Sequence, residues 1–204
     1  MPDEKGYIKF KCEWIKGDPP PEKYIEELNF WRKKMFDLGL IGMYDNGIGF
    51  GNISIRIPGT RQFIITGSAT GGTKNLGPEH YIKVTEVHHE KNSLVCVGPI
   101  KASSESMTHA AVYDSDPNAM AVIHVHNLKM WKKLLNKVPT TSKDATYGTP
   151  EMAEEVMRLF RETDVKKKGI FVMGGHMEGI ITFGKDLEEA GRIMVKNYEQ
   201  NGRI

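Results

Sequence analysis

The sequence of 204 residues has few of the features that assign a protein to a class at once. It contains two cysteines, Cys12 and Cys96, which lie far apart and lack the spacing of a zinc motif, so a disulfide-stapled scaffold is excluded. We interpret both as reduced, buried thiols of a cytoplasmic protein. No stretch approaches the ~20 apolar residues of a transmembrane helix, and the N-terminus lacks the apolar core of a signal peptide, so we expect no membrane partner.

An excess of one charge is also absent. The sequence has 28 Lys and Arg against 26 Asp and Glu, a net charge of +2. Proteins that bind nucleic acid usually carry a strong basic excess, so we expect no nucleic-acid partner. The longest basic run, residues 166–168, is predicted to be a solvated loop.

The sequence does contain short strand-like runs mixed with amphipathic helices, without internal repeats or linkers. This mixture indicates a single α/β domain over residues 1–204, in which one sheet is covered by helices. Residues 1–20 form an N-terminal extension, whose alternating apolar residues from Ile8 to Trp14 predict a strand. The other predicted strands cover residues 52–57, 62–66, 81–88, 93–97, 120–125, 169–173 and 179–183. The predicted helices cover residues 22–38, 103–114, 149–161 and 186–200.

The most informative run is the apolar segment that ends in His124-Val125-His126. Side chains alternate along a strand, so the two histidines share one face. Two neutral imidazoles at this spacing can bind one cation, and imidazole is a common zinc ligand. The alternative interpretation is a pair of core histidines that form hydrogen bonds with the backbone.

A third ligand is needed because a catalytic zinc ion usually takes three protein ligands and keeps one position open. The best candidate is His176, which follows a predicted strand and the pair Gly174-Gly175. Two glycines allow the backbone to approach another segment closely. A turn histidine without a metal is the competing interpretation.

A second group of polar residues lies in the segment 101–113. Ser103 or Ser104 suits a helix N-cap, where backbone N–H groups and two hydroxyls would form an anion site. Glu105 either serves as an acid or base or simply interacts favourably with the helix dipole. His109 lies four residues later on the same helix face, where it either orients Glu105 or packs.

Two glycine-rich segments also carry polar side chains that could contact a ligand. Asn52 begins a predicted strand, and Ser68 lies in the loop that follows the next one. Such loops can bind phosphate through backbone N–H groups. Neither segment ends in the Gly-Lys-Ser/Thr of a Walker loop, and each alone is typical of an ordinary turn.

Taken together and in this order, the segments resemble the class II aldolase/adducin family, from about Leu38 to the C-terminus. Its members with known chemistry are zinc-dependent sugar-phosphate aldolases, with related epimerases and a dehydratase. The run that contains the histidine pair is the most specific part. The matching segments are GNISIR (51–56), FIITGSA (63–69), KASSE (101–105), HAAVYDSDPNAMAVIHVHN (109–127), YGTPEMAEEV (147–156) and GIITFGKDLEEA (179–190).

The resemblance implies a role for each matching residue. The implied zinc ligands are His124, His126 and His176. The implied acid/base is Glu105, and the implied phosphate-binding residues are Asn52, Ser68, Ser103 and Ser104. The implied fold is a three-layer α/β/α domain with a mainly antiparallel central sheet, and the implied assembly is a homotetramer with sites near subunit boundaries. Three histidines also suit other divalent transition metals.

The implied function is a zinc-dependent lyase that cleaves a small ketose phosphate by retro-aldol chemistry. The metal stabilises an enediolate as a Lewis acid, and a glutamate whose pKa is raised moves the proton. One alternative is an epimerase or dehydratase that uses the same intermediate. Another is a non-catalytic, adducin-like interaction module, although adducin-type domains have lost the metal histidines that this chain retains.

The sequence departs from the family pattern at several places, three of which bear on the site. The segment His176–Gly179 has two residues between the histidine and the glycine that usually follows it, so Glu178 is a further candidate ligand or acid. Ala69 stands where a glycine is expected. The segment between His126 and Tyr147 has no counterpart of the mobile catalytic tyrosine of the sugar-phosphate aldolases.

Overall fold

The computed structural model describes residues 8–203 and shows a mixed α/β fold. Its strands and helices alternate as the sequence pattern predicts. In chain order they are β1 (Lys11–Ile15), α1 (Glu22–Asp37), β2 (Gly42–Met43), β3 (Gly49–Phe50), β4 (Asn52–Arg56), β5 (Phe63–Thr66), β6 (Tyr81–His88), β7 (Ser93–Val97), α2 (Ser106–Ser115), β8 (Ala121–His126), α3 (Leu128–Leu134), α4 (Pro150–Glu162), α5 (Val165–Lys168), β9 (Ile170–Val172), β10 (Gly179–Gly184) and α6 (Leu187–Asn201).

Eight of these strands form one sheet, in the order β1-β7-β6-β5-β4-β8-β10-β9. The prediction of a mainly antiparallel sheet is confirmed, because every neighbouring pair is antiparallel except β1 and β7. The sheet is therefore mixed. The short strands β2 and β3 form a separate hairpin. Strand β8 lies between β4 and β10, which places the histidine pair inside the sheet.

Successive residues of the central strands contribute to different hydrophobic clusters. Val122 of β8 packs in a cluster that contains residues of α2 and α4. Its neighbour Ile123 packs in a second cluster that contains residues of α1, α3 and α6. This alternation follows from the two-residue period of a strand, since β8 is buried on both of its faces.

Several helix boundaries follow from their caps. Thr149 Oγ1 accepts a hydrogen bond from the Met152 N–H at the start of α4, as predicted.

Two predictions about the bounds of elements were wrong. The helix α2 begins at Ser106 rather than at residues 103–104, because the Ser103 carbonyl accepts bonds from the Ser106 N–H and hydroxyl and forms a turn there. Residues 166–168 belong to the short helix α5, and α3 was not predicted.

The predicted strand of the N-terminal extension is confirmed as β1, which pairs with β7 at the edge of the sheet. Residues 1–7 of that extension lie outside the described residues.

Both cysteines are free, as predicted, with Sγ atoms 3.3 Å apart. Cys12 is only partly buried, whereas Cys96 is fully buried. No helix within residues 8–203 is long and apolar enough to cross a membrane.

Candidate metal centre and active site

The two strand histidines lie on one face of β8, as the alternation predicts. Their ring centroids are 4.9 Å apart, and both side chains are buried. Across the sheet, His124 pairs with Asn52 of β4, and His126 pairs with Gly179 of β10. The regular geometry of a fully paired strand therefore fixes the positions of both imidazoles.

The third histidine joins them. The His176 ring centroid lies 4.7 Å from that of His126 and 5.5 Å from that of His124. The two glycines before it are required by close packing, since a Cβ on Gly174 would lie 2.2 Å from the Thr141 carbonyl oxygen. This packing sets the path of the chain that brings His176 over the end of β8.

The three histidines form a group that can hold a metal ion, because each offers a nitrogen within 4.8 Å of the other two. Nε2 of His126 lies 3.0 Å from Nε2 of His176. Nε2 of His124 is buried and has no hydrogen-bond partner among the described residues. Burial, followed by the nearby His126 and His176, holds the pKa of His124 well below its usual value. His124 is therefore a neutral imidazole, the form that binds metals.

Glu105 lies next to this group, immediately before α2. Its Oε1 is 3.5 Å from His176 Nε2 and has no hydrogen-bond partner within residues 8–203, while its Oε2 accepts a bond of 2.8 Å from the Thr108 hydroxyl. Burial raises its pKa to about 7, and the Thr108 bond and the charge of Lys9 only partly offset this effect. At neutral pH the carboxyl group can both accept and release a proton.

His109 packs rather than orients Glu105. Its Nδ1 lies 2.7 Å from the Ser54 hydroxyl, which in turn lies 2.7 Å from the Tyr113 hydroxyl. Burial lowers the pKa of His109 to about 3, so it is neutral. This network joins β4, which carries Ser54, to α2, which carries His109 and Tyr113.

One cavity of about 220 Å³ opens beside the histidines and Glu105. The four residues that the resemblance assigned to phosphate binding all line it: Asn52, Ser68, Ser103 and Ser104. The Ser68 N–H donates to the carbonyl of Lys101, which brings the loop after β5 against the segment before α2. The Asn52 amide lies near His124, with Nδ2 3.4 Å from Nδ1, and its Oδ1 has no partner among the described residues.

Sequence reasoning missed Arg32, which anchors the cavity loop. This buried residue of α1 donates hydrogen bonds to the carbonyls of Thr70, Gly71 and Lys74. A lone arginine on an amphipathic helix gives no signal of such a role. The partners become visible only once the loop is folded against the helix.

Two cavity tyrosines were also given no role. Tyr44, beside the β2–β3 hairpin, places its hydroxyl 2.7 Å from His126 Nδ1, and the Tyr147 ring lies 4.8 Å from that of His176. The Asn46-Gly47 pair is a strong hairpin signal that could have located Tyr44. Glu178, left open as a ligand, instead accepts a hydrogen bond from the Tyr44 hydroxyl, and its carboxylate is 3.8 Å from His126 Nδ1.

Comparison with known proteins gives a consistent result. A family model described as "Class II Aldolase and Adducin N-terminal domain" matches residues 42–197. No curated protein matches the chain at a significant level.

Among solved structures, L-fuculose-1-phosphate aldolase from Thermus thermophilus has a TM-score of 0.63 at 24% identity, over 88% of this chain and 91% of the other. A second L-fuculose 1-phosphate aldolase has a TM-score of 0.67 at 19% identity, over 89% and 84%. A sugar-phosphate aldolase from Thermotoga maritima has a TM-score of 0.61 at 18% identity, over 88% and 93%. At these identities the likeness establishes a shared fold.

Proposed function

Because the chain belongs to the class II aldolase and adducin family, we propose that it is a metal-dependent lyase that cleaves a small ketose phosphate by retro-aldol chemistry. The observation that carries this proposal is the buried cluster of three histidines with Glu105 at its edge, whose Oε1 has no hydrogen-bond partner among the described residues. An adducin-like interaction module does not require three buried imidazoles, one of them held neutral by burial, beside a carboxyl group whose pKa is about 7.

The donor set fits a divalent transition metal, and we propose zinc held by His124, His126 and His176. The unpartnered, buried Nε2 of His124 supports this assignment, because a buried polar atom without a partner is costly. When bound, the ion supplies Lewis-acid stabilisation of the negative charge that develops when a bond beside a carbonyl is broken.

Glu105 carries the proton in this proposal. In retro-aldol cleavage the carbon–carbon bond breaks, the β-hydroxyl loses its proton as a new carbonyl forms, and the electron pair left on the other fragment takes up a proton. Glu105 would accept the β-hydroxyl proton as a carboxylate and then deliver a proton to that carbon as the acid, since it lines the cavity and its Oε1 has no hydrogen-bond partner among the described residues. A pKa of about 7 leaves both protonation states populated near neutral pH.

Asn52, Ser68, Ser103 and Ser104 would bind the substrate phosphate. Their location in one cavity with the histidines supports this role. Binding a phosphate away from the reacting carbons positions the substrate and supplies energy for the reaction at the other end. The cavity of about 220 Å³ favours a small sugar phosphate.

We further propose that residues 1–204 form one three-layer α/β/α domain that assembles as a homotetramer in the cytoplasm. The two hydrophobic clusters support the layers. The exposed side chains of Met43 and Met177, next to Tyr44 and His176 in the chain, support a subunit boundary near the site. Two thiols that are free although 3.3 Å apart support a reducing compartment.

The test is product analysis with the metal-loaded protein and a panel of phosphorylated ketoses. We expect one carbonyl fragment and one phosphorylated fragment per turnover, stoichiometric metal in the purified protein, and loss of turnover with retained metal in Glu105→Gln. The exposed Glu90→Gln is the matched control and should leave turnover unchanged. An epimerised or dehydrated product in place of fragments would contradict aldol cleavage, and a protein without metal would contradict the whole proposal.

A further inference from the structure

On the side of His126 that faces away from the histidine cluster, two polar side chains form a chain of hydrogen bonds. The Tyr44 hydroxyl lies 2.7 Å from His126 Nδ1 and 2.5 Å from Glu178 Oε2. The other ring nitrogen, Nε2, faces His176 at 3.0 Å. One nitrogen of the His126 ring therefore faces the histidine cluster, and the other faces Tyr44 and Glu178.

The direction of these hydrogen bonds follows from the chemistry of a ligand. A neutral imidazole that binds a metal through Nε2 carries its hydrogen on Nδ1. The His126 Nδ1–H then donates to the Tyr44 oxygen, and the Tyr44 O–H donates to the Glu178 carboxylate. The Glu178 carboxylate is thus connected to the His126 imidazole through the Tyr44 hydroxyl.

The backbone at Glu178 is held in a conformation that a glutamate rarely adopts. Its φ is +76°, in the left-handed region that favours glycine. It is the third residue of a turn closed by the Gly179 N–H and the His176 carbonyl, and its own carbonyl accepts from the Asn127 N–H. This strained backbone coincides with the hydrogen bond that its side chain accepts from Tyr44, and the two observations together suggest a role for the side chain.

Tyr44 is held in place by the hairpin beside it. Its N–H donates to the Ile48 carbonyl, and its ring packs on Phe50 with centroids 4.5 Å apart. Phe50 also stacks on the His126 ring at 5.4 Å, with 24° between the planes. The hairpin therefore presents one hydroxyl and one ring face to the same imidazole.

We propose that Tyr44 and Glu178 are positioning residues for His126. They fix the tautomer and the ring orientation of this imidazole and increase the electron density on Nε2, so that the site binds its metal more tightly. The inference rests on the proposed metal site. Hydrogen-bond partners of this kind change metal affinity by about 10–100-fold in other proteins.

The test measures metal affinity directly, by competition of the metal-free protein with a chromophoric chelator for Zn²⁺. We expect Tyr44→Phe and Glu178→Gln each to weaken Zn²⁺ binding by about 10–100-fold. The double variant should be little weaker than either single variant, because both act through one chain of bonds. With Co²⁺ in place of Zn²⁺, the absorption bands should shift in both variants, which loss of folding stability alone does not cause.

Two controls separate positioning from a merely structural role. Tyr81→Phe removes a buried hydroxyl that donates to Asn29 Oδ1 outside the cavity, and it should leave Zn²⁺ affinity unchanged. Glu178→Gly relieves the left-handed backbone, so the metal-free variant should melt no lower than the wild type while its Zn²⁺ affinity still falls about 10–100-fold.

Unchanged Zn²⁺ affinity in Tyr44→Phe and Glu178→Gln, with unchanged Co²⁺ spectra, would overturn the inference whatever the activity. A wild-type protein that binds Zn²⁺ tightly but cleaves no ketose phosphate would remove the proposed function and leave this inference standing. A wild type that cleaves a ketose phosphate, together with Tyr44→Phe and Glu178→Gln variants that keep full Zn²⁺ affinity, would support the proposed function and remove this inference.

Discussion

Replacing Glu105 by glutamine is expected to stabilise the metal-free protein at alkaline pH while it removes catalysis. Burial raises the pKa of this carboxyl group from 4.5 to about 7. The folded protein therefore keeps a proton on Glu105 between these two values, whereas the unfolded chain has lost it. Stability that depends on this proton is fully present below about pH 4.5 and decreases as the pH rises to about 7, because the folded state must then ionise a buried group.

The size of the effect follows from the width of this window. One pH unit corresponds to about 1.4 kcal/mol, so the interval from 4.5 to about 7 is worth about 3 kcal/mol at most. Glutamine has nearly the same shape, can still accept the Thr108 hydrogen bond and never ionises. The variant should therefore be more stable than the wild type by up to about 3 kcal/mol at pH 8, and this difference should fall to below about 1 kcal/mol at pH 5.

The assay is urea denaturation of the chelator-treated proteins between pH 5 and 9. The histidines are present in both proteins, so the difference between the two stability curves reports on Glu105 together with its interaction with His176, 3.5 Å away. Glu90→Gln, at an exposed position, should give a difference close to zero at every pH. In the metal-loaded enzyme the same Glu105→Gln change should lower kcat by about 10²–10⁴-fold, the usual contribution of a general acid or base. A difference that does not vary with pH, or a variant less stable at pH 8, would refute the reasoning.

Three further changes test other parts of the site. If the proposed metal site is correct, His124→Ala should abolish stoichiometric metal in the purified protein, because it deletes the candidate ligand whose Nε2 is buried without a partner among the described residues. Arg32→Met should destabilise the protein by about 3 kcal/mol in urea denaturation and raise KM for a phosphorylated substrate, since three loop carbonyls lose a charged donor. Ala69→Gly should raise stability by about 0.5–1 kcal/mol in the same assay, because Ala69 has a φ of +62°.

The centre of the site could be predicted from the sequence because it lies on regular structure. His124 and His126 are two residues apart on β8, and the period of a strand alone puts them on one face. His176 could be proposed as their partner because the glycines before it indicate close backbone packing. The bounds of β6 and β7 agree with the predicted residues 81–88 and 93–97, although the pairing of β6 with β7 shifts register between Val84 and Glu86.

The surroundings of the site could not be predicted because they depend on contacts between distant loops. Tyr44 and Glu178 are 134 residues apart, and no local pattern relates them. The start of α2 was placed too early because Ser103 suits an N-cap, whereas its carbonyl instead accepts both donors of Ser106 in a turn. That turn leaves Glu105 just outside the helix, where its Oε1 faces the histidines.

Two carboxyl groups flank the same three histidines, and their environments give them different chemistry. Glu105 is 3% exposed, and one of its oxygens has no hydrogen-bond partner in the described part of the chain, so burial favours its neutral form and suits it to the proposed role of proton donor and acceptor. Glu178 is 18% exposed and accepts a hydrogen bond from the Tyr44 hydroxyl, so in the proposed site it acts on His126 through that hydroxyl. Their glutamine variants should therefore separate the two properties of the site, because Glu105→Gln removes turnover and retains metal while Glu178→Gln weakens metal binding first.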